Sequence, residues 1–142
     1  MSDVYQAPVS DLEVISGKYK PSFGWKLLFV ILLPLELWSQ YDAFSVNELN
    51  EPFWLLLTSL GIYTVYYIGL FGLAFSKKIG TSKFWLCYLP VQMAADIYHL
   101  YTLLLSEAMP LIEVGIFLAI VLPIILVAWW STYKYHTVVS QF

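Results

Sequence analysis

The sequence predicts an all-α integral membrane protein, a four-transmembrane-helix bundle with N-in/C-in orientation. Three observations carry that expectation. Four long apolar stretches fill most of the 142 residues. Hydrophobic residues make up 60% of the chain and charged residues only 12%, against roughly 25% charged in soluble globular domains. All seven lysines fall in or beside the N-terminal tail, one internal loop and the C-terminal tail, and there is no arginine.

The spans follow from length. A hydrocarbon core of about 30 Å needs about 20 apolar residues rising ~1.5 Å each. The first window runs from Trp25 to Tyr41 and is short, with Lys26 placed to snorkel toward headgroups. The second runs from Phe53 to Phe75, the third from Phe84 to Leu105, and the fourth from Leu111 to Trp130. Residues 1–24 then form a flexible cytoplasmic tail, 25–133 the transmembrane domain, and 134–142 a second cytoplasmic tail. Aromatic side chains mark the expected interfaces, where rings settle at headgroup depth. Trp25, Trp85, Trp129, Trp130 and Tyr133 make one belt, and Trp38, Tyr41, Phe53 and Trp54 the other.

Orientation follows from the lysines. Lys18, Lys20 and Lys26 precede or open the first span, Lys77, Lys78 and Lys83 lie between the second and third, and Lys134 follows the fourth. The segment with Asp42, Glu48 and Glu51 and the turn with Glu107 and Pro110 contain no lysine. Basic loops stay in the cytoplasm, so both termini are expected there.

The N-terminal tail lacks the basic region, apolar core and small-residue cleavage site of a signal peptide, so no removal is expected. It is expected to be extended, since Pro8 disfavours helix at Ala7. Its run Tyr5-Gln6-Ala7-Pro8-Val9-Ser10-Asp11-Leu12 resembles the short leader of small polytopic inner-membrane proteins of Gram-negative bacteria, several of unknown function. That resemblance covers the leader alone, and it implies the bacterial inner membrane as the location.

Two faces stand out for packing and chemistry. Small residues on the second span, Thr58, Gly61, Val65, Gly69, Gly72 and Ser76, recur at spacings of three and four and share one side. Small residues let membrane helices approach closely, so Thr58, Gly61, Gly69 and Gly72 are the expected packing face. On the third span Gln92, Asp96, His99 and Ser106 form a polar stripe. Asp96 falls about 18 Å along its helix, near mid-bilayer, where an acid must face protein or water. Tyr63 and Tyr67 of the antiparallel second span reach the same depth. The leading expectation is an interhelical polar clamp. The others are a binding site for a partner subunit or lipid, and a proton path through Asp96 and His99. Glu36, Glu107 and Glu113 cluster toward the lysine-free side, as solvated helix ends or as an acidic outer face that attracts cations.

Other chemistry is thin in the sequence. Cys87 is single and lies in an apolar stretch, which excludes an internal disulfide and gives no metal signature. No glycine-rich phosphate loop or nucleophile elbow is present, and only His99 among the histidines lies within a span. No cofactor, no metal and no catalytic residue is expected. The net charge of −3 argues against a nucleic-acid partner. The expected partners are the lipid bilayer and a membrane protein or second copy. The chain is expected to act non-catalytically, as an accessory or structural subunit of a membrane complex. The alternatives are a small proton- or cation-coupled transporter working as a parallel oligomer, and a membrane enzyme or maturation factor with a lipid-phase substrate.

Overall fold

Each helix begins where the sequence withdraws a backbone donor or offers a cap, and the computed structural model describes residues 19–46, 51–106 and 110–142. Helix α1, Phe23–Ser45, starts after Pro21 and Ser22, with Ser22 extended at φ −74°. Helix α2, Phe53–Phe75, starts after Pro52, whose fixed φ suits a helix entry. It stops at Ser76, a non-glycine residue in the left-handed region at φ 53°. The Lys77 amide then returns to the Gly72 carbonyl at 2.9 Å, closing the helix end. Helix α3, Ser82–Ser106, is capped by Thr81, whose Oγ1 accepts from the Phe84 amide at 3.2 Å. Helix α4, Leu111–Val138, follows Pro110, and Glu113 in its first turn complements the helix dipole. A 3-10 turn, Val139–Gln141, ends the chain.

Four helices and no strand are found among the described residues, and the contacts between consecutive helices run in opposite directions along the two helices, so neighbours are antiparallel. Three of them, α1, α2 and α4, are long and apolar enough to cross a membrane. Four such spans were expected. α3 has the length, but Lys83, Gln92, Asp96 and His99 dilute its apolar character.

The segment 134–142, expected as a C-terminal tail, is helical as far as Val138. The helix runs eight residues beyond Trp130. Tyr135, Val138 and Val139 are buried there, alongside Tyr66, Leu70, Leu73, Trp85 and Tyr88. The core therefore sits at one end of the bundle, where α4 meets the α2–α3 loop. The Trp85 and Tyr135 rings cross edge to face at 4.9 Å, a favoured aromatic geometry. Trp85 thus belongs to this core, not to an interfacial belt.

Lysines gather at the same end. Tyr135 bonds the Lys77 carbonyl, Lys26 Nζ lies 5.9 Å from the centre of the Phe75 ring, and Tyr19 meets Phe142 edge-on at 5.5 Å. The six described lysines flank these contacts. Burial raises the Tyr19 phenol above its ordinary ionisation range, and its hydroxyl has no partner among the described residues.

The small-residue face of α2 divides in two. Gly69 lies under the Trp85 ring, so close that a Cβ there would sit 2.5 Å from a ring carbon. Gly72 lies under the Tyr135 phenol in the same way. These glycines admit bulky rings from α3 and α4, where close backbone approach was expected. Gly61 has open space around it, and Thr58 is exposed.

α1 is the loosely held helix. It has no buried residue and packs chiefly along α2. Trp25, Leu28 and Phe29 touch the core near its start, with Phe29 5.7 Å from Phe71. Beyond them, the Tyr67 hydroxyl of α2 donates to the Leu32 carbonyl of α1 at 3.1 Å. Large apolar side chains are exposed on all four helices, among them Val30, Leu57, Ile97 and Ile116. Contiguous apolar exposure on this scale is foreign to soluble monomers.

Candidate functional site: a polar ladder beside a cavity

The spacing of Gln92, Asp96 and His99 puts all three on one side of α3. Each reaches a different partner. Gln92 is 1% exposed, and its Oε1 accepts from Thr132 of α4 at 2.7 Å. Asp96 is 8% exposed and spans both neighbours. Its Oδ1 accepts from the Tyr63 hydroxyl of α2 at 2.9 Å, and its Oδ2 from the Trp129 indole of α4 at 2.7 Å. His99 Nε2 and Ser59 Oγ of α2 lie 3.0 Å apart.

Further bonds extend the ladder toward the core. The Tyr88 hydroxyl donates to the Ile62 carbonyl at 2.6 Å. The Tyr135 hydroxyl donates to the Lys77 carbonyl at 2.6 Å and accepts from the Ile79 amide at 2.9 Å. Trp85 donates to the Ile79 carbonyl at 2.7 Å, and Ser82 Oγ lies 2.8 Å from His136 Nδ1. Helices α2 and α3 are thus cross-linked to each other and to the last third of α4 by side chains.

A cavity of about 450 Å³ lies beside the ladder, bounded by all four helices. Tyr63, Tyr67, Gln92, Asp96 and His99 border it, together with Glu36 and Ser39 of α1. Apolar residues such as Leu32, Phe117 and Ile124 form the remaining wall. Glu36 is half-buried, and its Oε1 accepts from Gln40 at 2.7 Å within its own helix. A second cavity, about 330 Å³, follows the α1–α2 seam and shares Glu36, Tyr63 and Tyr67 with the first.

The expected acidic outer face comprised Glu36, Glu107 and Glu113. Glu36 turns into the cavity, Glu113 is exposed on the first turn of α4, and Glu107 lies outside the described residues. Tyr67 shares the cavity with Asp96, but its hydroxyl goes to α1. The leader Tyr5–Leu12 and Lys18 also lie outside the described residues, and the side chain of Ser106 does too.

Several participants escaped the sequence reading. Trp129 was placed at an interface because the fourth span was expected to end at Trp130. With the helix continuing to Val138, Trp129 lies more than two turns inside it. Ser59 and Thr132 are small polar residues in apolar runs, where sequence carries no sign of a partner. Cys87 is exposed and forms no disulfide. No group of three His, Cys, Asp or Glu side chains that could hold a metal ion occurs among the described residues. No protein-family model matches the chain, and neither a curated protein nor a solved structure matches it.

Proposed function

We propose that this chain is a multi-pass membrane protein that acts by association, as a non-catalytic accessory or structural subunit of a membrane complex. Three apolar helices support insertion, and α3 joins them because its polar groups face its neighbours. The lysine-rich end supports a cytoplasmic location for both termini, since basic loops resist translocation. The resemblance of the leader supports a bacterial inner membrane.

One observation carries the association reading. The polar groups of α3 are each committed to a bond between helices: Gln92 to Thr132, Asp96 to Tyr63 and Trp129, and His99 to Ser59. Such a ladder favours a rigid three-helix unit. α1, with no buried residue, offers the least-used surface for a partner or second copy.

Photo-crosslinkers placed at Val30 and Trp38, both exposed on α1, test the reading in cells. A discrete protein adduct at stoichiometric yield is expected. A monomer that crosslinks only to lipid, and purifies alone from native membranes, overturns it.

A second reading, a small proton- or cation-coupled transporter working as a parallel oligomer, draws support from the cavity holding Glu36, Asp96 and His99. Proteoliposome flux lost in both Glu36→Gln and Asp96→Asn is its expected signature.

A further inference from the structure

We infer that the four-helix cavity is a binding site for an amphiphilic organic monocation, with the Glu36 carboxylate as its charge partner. The inference concerns occupancy, and it holds whether or not the chain associates with a partner or moves the ligand.

The walls define the ligand. Among the described residues no lysine borders the cavity, and its acids Glu36 and Asp96 are hydrogen-bonded to the neutral donors Gln40, Tyr63 and Trp129. The Asp96 oxygens each already accept a bond from another helix. Glu36 differs, because its single hydrogen bond comes from Gln40, one turn along the same helix. It can therefore turn to a ligand without opening the ladder. His99 borders the same cavity, but its ring bonds Ser59, so the half-buried Glu36 carboxylate has no directly bonded cation and favours an incoming positive charge.

Inorganic cations fit poorly. Calcium takes six to eight oxygen ligands and magnesium keeps much of its water shell, whereas this wall is largely apolar. An organic cation instead carries its own apolar cover, matched by Leu32, Phe117 and Ile124. Tyr63, Tyr66 and Tyr67 border the same space, and aromatic rings attract alkylammonium groups. A volume of about 450 Å³ lies within the range of small-molecule sites. An anionic amphiphile would meet two acids and is disfavoured.

The experiment is equilibrium binding of benzyltriethylammonium to the purified full chain in neutral detergent, followed by titration calorimetry. Saturable one-to-one binding is expected. Glu36→Gln should weaken it by about tenfold or more, since a charge-assisted contact becomes a neutral one. Glu113→Gln, at an exposed acid outside the cavity, should leave it unchanged. Ile124→Trp keeps every charge but fills the cavity, and should abolish binding with the helical content intact. The inference is overturned by absence of saturable binding to the wild-type chain. Equal affinity in Glu36→Gln or Ile124→Trp overturns it too, as does equal binding of neutral benzyl alcohol, which would mark a cavity for any lipid-like molecule.

Discussion

The indole of Trp129 donates to Oδ2 of Asp96 at 2.7 Å, while Tyr63 donates to Oδ1 of the same carboxylate at 2.9 Å. One acid on α3 therefore fastens helices on both sides of it. Burying a carboxylate is costly, and two directed donors offset much of that cost. Hydrogen bonds between membrane helices contribute only about 0.6 kcal/mol on average, because unfolded chains in lipid also find partners. Asp96 makes two such bonds, and their loss would leave two half-buried donors unsatisfied.

Asp96→Leu should therefore destabilise the bundle more than Asp96→Asn, which can still accept one bond. The expected losses are about 2–4 and about 1–2 kcal/mol. A double-mutant cycle of Asp96→Asn with Trp129→Phe should give a coupling energy of about 0.5–2 kcal/mol. Unfolding in mixed detergent micelles measures both, and a coupling near zero would remove Asp96 from its role as a clamp.

The glycines of α2 should separate sharply. Gly69→Ala drives a methyl into the Trp85 ring and should cost about 1–3 kcal/mol. Gly61→Ala enters open space and should be neutral or stabilising by up to about 1 kcal/mol. Thermal melts of the two variants, side by side, check the contrast.

Tyr135→Phe should loosen the α2–α3 loop without changing the helices. It removes the acceptor of the Ile79 amide and the donor to the Lys77 carbonyl, at a cost of about 1–3 kcal/mol. Faster hydrogen exchange at residues 77–80, with protection retained within α2, is the expected readout.

Tyr19→Phe should have little cost or be mildly stabilising, because the buried hydroxyl lacks a partner among the described residues. Its pH dependence has a defined sign. The phenol ionises above its ordinary value of 10.0 in the folded chain, so near that pH the unfolded chain releases the proton first. Stability falls as pH rises through that window, and Tyr19→Phe should remove its share of the fall.

Orientation is checked by thiol labelling in a Cys87→Ser background. Lys77→Cys should react only when reagent reaches the cytoplasm, and Ser45→Cys from the opposite side in intact cells. The reverse pattern would invert the proposed topology.

Much of the helical layout was legible because it rests on local chemistry. α2 runs from Phe53 to Phe75, as expected, because Pro52 opens it and the polar Ser76-Lys77-Lys78 run ends its apolar stretch. The common side of Gln92, Asp96 and His99 was also legible, because helical spacing alone sets it. Their partners were not. Whether Asp96 meets Tyr63, Tyr67 or Trp129 depends on how neighbouring helices slide and rotate, which no local pattern records.

By itself, the sequence determined the four helices, the apolar character of α1, α2 and α4 and the gathering of the described lysines at one end, since these follow from composition and short-range spacing. Tertiary structure decided where α4 stops, for Ser131, Thr132 and Tyr135 remain helical beyond the apolar run while bonding or packing against α2, α3 and their loop. It also decided that Glu36 faces inward. α1 lies along α2 with few constraints of its own, so the direction of its acid is set by the neighbour on which it rests.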